Sequence, residues 1–100
     1  MEEQMFDQMK QLMEMKKKAD QIKRELDSSS IEVNEVNGIK MTITGAQDFK
    51  SIEIAEGLLN AGNRQRFEKD LLRSVNAAIK KSQNLAASKM KAVMPNLPGM

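Results

Sequence analysis

The chain contains no cysteine, no histidine, no tryptophan and no tyrosine among its 100 residues. Without cysteine there is no disulfide framework, no thiol nucleophile and no thiolate zinc site. Without histidine the usual neutral-pH general base and the commonest metal ligand are missing. A Ser-His-Asp hydrolase, a zincin and a haem site are thereby excluded. The only aromatic side chains are Phe6, Phe49 and Phe67, all three at positions where packing can use them. Apolar runs are pairs and triplets such as Leu58-Leu59 and Ala92-Val93-Met94, far short of a membrane span. The opening MEEQMFDQMK is acidic and leads into no signal-like apolar run. A soluble cytoplasmic protein is the expectation.

What is present is helix-forming and methionine-rich, with nine Met. A chain this short buries only about 60–65% of its unfolded surface, and with so few aromatics its core as a monomer is thin. Self-association follows as a first expectation. From about Glu2 to Asp27 there is no Gly or Pro, and the Met, Lys, Glu, Gln and Leu content favours helix. Met5, Leu12, Ala19 and Leu26 share one heptad position, and Gln8, Met15 and Ile22 the position three further on. That is a coiled-coil-like seam, which Met9 and Met13 widen. Asp27-Ser28-Ser29-Ser30 ends the helix, because these residues favour turns and caps.

From Ile31 to Ile54 the apolar period changes to two. Ile31 and Val33, then Ile39, Met41 and Ile43, then Ile52 and Ile54 alternate with polar residues, as strands require. A two-residue Asn37-Gly38 loop would set Val33 against Thr42. A three-residue loop, Val36-Asn37-Gly38, sets Val33 against Met41 and Ile31 against Ile43, giving one apolar face, and is preferred. A second turn at Gly45–Asp48 brings Met41 opposite Ile52 and Ile39 opposite Ile54. A connector from Ala55 to Gly62 carries Leu58 and Leu59 as anchors, and Asn63 is a candidate N-cap. Helical period returns from Arg64 to about Met94, with Leu72, Val75, Ile79, Ala86, Met90 and Val93 on one stripe and Ser82 as its polar member. Phe67, Leu71, Ala78 and Leu85 lie beside it. Pro95 stops this helix, and the tail 95–100 is expected to be mobile.

The predicted fold is α+β, in the order α-β-β-β-α, with a three-stranded antiparallel meander between two long helices and residues 1–94 as one domain. Helices of roughly 38 and 45 Å overhang so small a sheet. A symmetric dimer accommodates that better than a compact monomer.

The net charge of +2 conceals segregation. Residues 1–15 carry −3 and residues 16–24 carry +4; residues 25–62 carry −5 and residues 63–100 carry +6. The sheet region is acidic and the second helix strongly basic. Such helices suit neutralisation of nucleic-acid phosphates, although many lysine-rich faces are only solvated. Single-strand and loop-RNA binders stack bases on exposed aromatics, so the aromatic poverty favours duplex DNA. No pair of helices is joined by the short turn of a helix-turn-helix motif. Gly38, Gly45, Gly57 and Gly62 form no phosphate loop. Glu32 with Glu35, and Glu53 with Glu56, have neither a metal-ligand pattern nor a nucleophile beside them and read as solvent-facing. The methionines of the first helix read as core or dimer seam rather than a soft-metal site. No cofactor, small-molecule substrate or enzymatic activity is indicated.

The whole pattern resembles the YbaB/EbfC family of nucleoid-associated DNA-binding proteins. The similarity lies in the Met- and Gln-rich Met5–Met13 and in Gly38-Ile39-Lys40-Met41-Thr42-Ile43-Thr44-Gly45. It continues in Phe49–Ile54, in Leu71–Ser82 with its Val75-Asn76-Ala77 run leading to Lys80-Lys81, and in the Leu97-Pro98-Gly99 tail. The segment Val33–Gly38 is less glycine-rich than the family pattern, and the connector Gly57–Gly62 lacks its acidic, proline-containing form. The resemblance implies a tweezer-shaped homodimer on double-stranded DNA in the bacterial nucleoid, with helical residues as contacts. Charge and resemblance together nominate Lys16, Lys17, Lys18, Lys23, Arg24, Arg64, Arg66, Lys69, Arg73, Lys80 and Lys81 as phosphate-contacting residues. The competing expectations are a prefoldin-like client-binding module and an accessory to recombination or replication proteins. Ser82 and Lys89 break the continuous seam that prefoldin-like arms need.

Overall fold

In the computed structural model, residues 2–93 are described, with side chains from Met5 to Ala92. The order is α1 (Glu2–Ser28), β1 (Ile31–Val36), β2 (Ile39–Ile43), β3 (Phe49–Ile54), two 3-10 turns (Glu56–Leu58 and Ala61–Asn63) and α2 (Arg64–Val93). This is the predicted α+β layout. The tail expected to be mobile lies outside the described residues.

The strands form one antiparallel meander in the order β1-β2-β3. Its register is the expected one: Ile31 faces Ile43, Val33 faces Met41, Met41 faces Ile52 and Ile39 faces Ile54. The device that sets the β1–β2 register differs from expectation. Val36 pairs with Ile39, so the loop is the two residues Asn37 and Gly38, and the extra residue sits in a bulge of β1 between Val33 and Val36. A bulge shifts register as a longer loop would and keeps Val33 and Met41 on one face. Gly38 supplies the left-handed backbone at φ 94°, which a side chain would resist.

Alternation buries Ile39, Met41, Ile43 and Val33 completely against α2. Each such side chain stabilises the fold by about 1.5–3 kcal/mol. The row of α2 that meets them is Phe67, Leu71, Ser74, Ala78 and Ser82. The predicted stripe is therefore displaced by about a quarter turn. The row assigned a flanking role faces the sheet, whereas Leu72 is 63% exposed and Val75 and Ile79 are half-buried at the margin. Small residues at Ser74, Ala78 and Ser82 let the helix backbone approach the sheet, which periodicity alone does not reveal. In the connector, Leu58 packs on the core but Leu59 is exposed. Asn63, expected as the N-cap of α2, ends the 3-10 turn that leads directly into that helix, and the turn itself is capped by Asn60, whose Oδ1 accepts from the Gly62 N–H at 2.9 Å.

The packing of α2 is against β1 and β2, and β3 is left uncovered. Ile52, opposite Met41 and so on the α2 side of the sheet, is 50% exposed. The cation-bearing flank of α2 lies beside β1, where Arg73 reaches Glu35. Its Leu72–Ile79 flank thus looks toward β3, and together they leave an apolar step along one side of the sheet.

Both helices leave the sheet at one joint. The Gly45 N–H donates to Ser29 Oγ at 2.8 Å and to the Leu26 carbonyl at 3.1 Å. The Ser82 hydroxyl donates to the Thr44 carbonyl at 2.7 Å. Thr44 Oγ1 accepts from the N–H groups of Ala46 and Asp48. A carbonyl at the end of α1, otherwise without an intrahelical partner, is thereby bonded to the sheet's second turn. Beyond the joint α1 and the end of α2 run side by side in opposite directions, with Leu26 and Leu85 flanking Gly45 and Lys89 paired to Glu25 at 3.2 Å. Ile22 is buried there. The N-terminal half of α1 extends past the end of α2, and the molecule measures 73 × 25 × 16 Å. Phe6 and the methionines expected to pack are exposed on this overhang, because α2 stops before reaching them.

Candidate nucleic-acid interface

The two broad sides of the molecule differ in how their charges are used. On the open face of the sheet, Lys40 bridges Glu32 at 3.1 Å and Glu53 at 3.9 Å, spanning all three strands. The hydrogen bond and charge of Glu32, then the charge of Glu53, raise the Lys40 pKa above its ordinary 10.5, so this lysine stays charged and committed to its carboxylates. The other side is the outer face of α2. One turn takes 3.6 residues, so Lys69, Lys80 and Lys91, at intervals of eleven residues, form a nearly straight row opposite the sheet. All three are exposed, and none makes an ion pair among the described residues. Arg66 and Arg73 flank that row.

On α1, Lys10, Lys17 and Arg24 stand seven residues apart and form a second row at about 10 Å intervals. Lys16 and Lys23 form a parallel one, and Lys18 lies on another side of the helix. The seam itself is apolar, so these cations surround the middle of the arm. The first fifteen residues are net acidic, which disfavours the arm's tip as a phosphate contact.

Every nominated residue (Lys16, Lys17, Lys18, Lys23, Arg24, Arg64, Arg66, Lys69, Arg73, Lys80 and Lys81) is exposed, but the structure divides them. Arg64 pairs with Glu68 at 3.1 Å, Arg66 with Asp70 at 3.9 Å and Arg73 with Glu35 at 3.2 Å. Arg66, Asp70, Arg73 and Glu35 ring an open cleft of about 360 Å³ beside Val36, Leu58 and Phe67, where each guanidinium has a carboxylate nearby. The lysines and Arg24 make no ion pair among the described residues. Sequence reasoning passed over Lys10 and Lys91, which complete the two rows. Their spacing of seven and eleven residues from nominated cations was the signal that could have found them. Lys89, by contrast, is held by Glu25.

Among the described residues no group of acidic side chains is arranged to hold a metal ion, and no helix is long and apolar enough to cross a membrane. The arrangement offers a rod-like basic surface on the side away from the ion-paired sheet face, which suits a polyanion recognised by its backbone.

The family model of the YbaB/EbfC DNA-binding family matches residues 1–97. The chain belongs to that family. YbaB/EbfC proteins bind DNA and are not enzymes. A protein named nucleoid-associated protein from Ruminiclostridium cellulolyticum (strain ATCC 35319 / DSM 5812 / JCM 6584 / H10) is 30% identical over 96 residues, covering 92% of this chain and 84% of its own. Nucleoid-associated proteins of Clostridium botulinum, strains Eklund 17B / Type B and Alaska E43 / Type E3, are each 29% identical over 76 residues. Each of these matches covers 75% of this chain and 67% of the relative. In this YbaB/EbfC chain most cations without an ion pair among the described residues lie on the helices, with Lys50 on β3 as the exception.

Proposed function

We propose that this protein is a nucleoid-associated protein that binds duplex DNA as a homodimer, with weak sequence preference, and so influences nucleoid organisation and gene expression. It would act in the bacterial cytoplasm, with residues 1–94 as one dimerising unit. The observation that carries the reading is the Lys69–Lys80–Lys91 row, which makes no ion pair among the described residues and lies on the side away from the ion-paired sheet face. Family membership and the names of the relatives support DNA as the partner. Three features support the dimer: the unpaired edge of β3, the exposed side chain of Ile52 and the uncovered Leu72 flank of α2. Edge strands and apolar steps of this kind are where a second chain adds. A two-fold pair joined there leaves both sets of helical arms free, as tweezers would be.

The contact residues in this reading are Lys69, Lys80 and Lys81 on α2 and Lys16, Lys17, Lys18, Lys23 and Arg24 on α1. Arg64, Arg66 and Arg73 contribute after exchanging their carboxylates for phosphate. Binding to unrelated duplexes of equal length, measured across a salt series, tests the proposal. We expect similar affinities on all sequences and a steep linear fall of log K with log salt. Absence of binding at low salt, or binding with no salt slope, would sink it.

A further inference from the structure

Arg73 stands four residues after Lys69 and seven before Lys80. At 3.6 residues per turn its Cα lies beside the Lys69–Lys80–Lys91 row. Its guanidinium, however, is turned from that row toward the sheet. Arg73 Nε donates to Glu35 Oε1 at 3.3 Å, and Nη2 lies 3.2 Å from the same oxygen. Arg64 and Arg66 pair with acids one turn on along their own helix. Arg73 alone of the nominated cations is tied to another element among the described residues, the strand β1.

The bulge of β1 supplies the partner. Val33 pairs with Met41 and Val36 with Ile39, so Asn34 and Glu35 share the place opposite Lys40 that a regular strand fills with one residue. Lys40 is engaged by Glu32 and Glu53 on the open face, and Glu35 takes no part in that network. A bulge can re-aim a side chain, and here a carboxylate is aimed at α2.

We propose that Glu35 is a built-in competitor for DNA phosphate, holding Arg73 out of the basic row until a phosphate displaces it. The inference rests on the DNA-binding reading above and adds a control on it. The guanidinium edge made by Nε and one Nη is a fork that accepts a carboxylate or a phosphate, and Glu35 occupies that edge. A phosphate on the same fork must exchange with Glu35 rather than add beside it. The open cleft at this point, with Arg66 also on its rim, leaves room for the exchange. The side chains are 65% exposed for Arg73 and 36% for Glu35, so the pair is of the weakly held surface kind and one phosphate contact can replace it. Lys69, Arg73, Lys80 and Lys91 then line one side of α2 together.

The test titrates a fluorescent duplex with five full-length proteins: wild type, Glu35→Gln, Arg73→Gln, the double variant and Glu56→Gln. The last removes the same charge from an exposed acid that makes no ion pair among the described residues. We expect Glu35→Gln to bind about two- to fivefold more tightly for each chain in contact with DNA, and Glu56→Gln to gain less. In the Arg73→Gln background the gain from Glu35→Gln should shrink to that of Glu56→Gln, because the competitor has nothing left to hold. Glu35 and Arg73 are exposed, and unchanged helical circular dichroism of the variants shows that the fold is kept. A Glu35→Gln gain no larger than that of Glu56→Gln, or one that survives in full without Arg73, would overturn the inference. Either result leaves a wild type that binds, so the DNA reading stands; a wild type that does not bind at low salt fails both.

Discussion

Ser82 is a fully buried hydroxyl on the helix face that meets the sheet, and it fastens α2 to the Thr44 carbonyl at 2.7 Å. Read along the sequence it is a gap in an apolar stripe. In three dimensions the gap is the contact, because a serine is small enough to admit the backbone of Thr44 and polar enough to satisfy it. The Thr44 carbonyl also accepts from the Gln47 N–H at 3.1 Å, so replacing Ser82 removes one of its two donors, a loss of about 0.5–1.5 kcal/mol. Ser82→Ala should therefore lower the denaturant midpoint by a corresponding amount with an unchanged m-value. Gly45 works at the same joint by having no side chain. A Cβ there would stand 2.6 Å from Leu26 Cδ2 and 3.1 Å from Leu85 Cδ2, so each arm is seated against bare backbone.

At the scale of the element, α2 has three faces with three tasks. One row packs on the sheet, one apolar flank is left over beside β3, and the outer row is basic. The lysines of that outer row make no ion pair among the described residues, whereas Arg64 and Arg66 each carry a carboxylate one turn away. Neutralising Lys69 and Lys80 together should weaken binding to all DNA sequences alike and reduce the salt slope by about 2 for each chain of the dimer in contact with DNA. Neutralising Arg64 and Arg66 together should do less, since each already has an anion to give up, and the two slopes measured side by side decide the ranking. The existence and order of the helices and strands, and the bounds of the helices to within a residue, were legible in the sequence, as was the pairing of Val33 with Met41. Two things were not. The stripe of α2 that meets the sheet could not be picked from two adjacent apolar rows, because periodicity gives a direction but not the neighbour. The ion pair of Arg73 with Glu35 joins residues 38 apart, and only the fold brings them together. The charge pattern announced a basic helix without showing which cations were already spoken for.

For the whole molecule, a single chain leaves an unusual amount of apolar surface bare on β3, on one flank of α2 and on the arm. A second copy covering the first two would make a continuous interior from what is otherwise half a core. Light scattering should give twice the chain mass. Ile52→Asp should shift that value to the monomer without loss of helical circular dichroism, because Ile52 is half exposed in the single chain. The same variant should bind DNA more weakly, since a dimer doubles the number of phosphate contacts.

The row Lys69, Lys80 and Lys91 has a further consequence when measured in the units of its partner. Eleven residues of α-helix rise about 16 Å, and one turn of B-form DNA advances about 34–36 Å. Successive lysines on the outer face of α2 therefore stand about half a helical pitch apart. A rod laid along a duplex meets a given sugar-phosphate strand once per turn, so Lys69 and Lys91, two steps and about 33 Å apart, stand one turn apart on the same strand. Such a match depends on the pitch of the double helix and not on its bases, which is the kind of fit a binder with weak sequence preference requires.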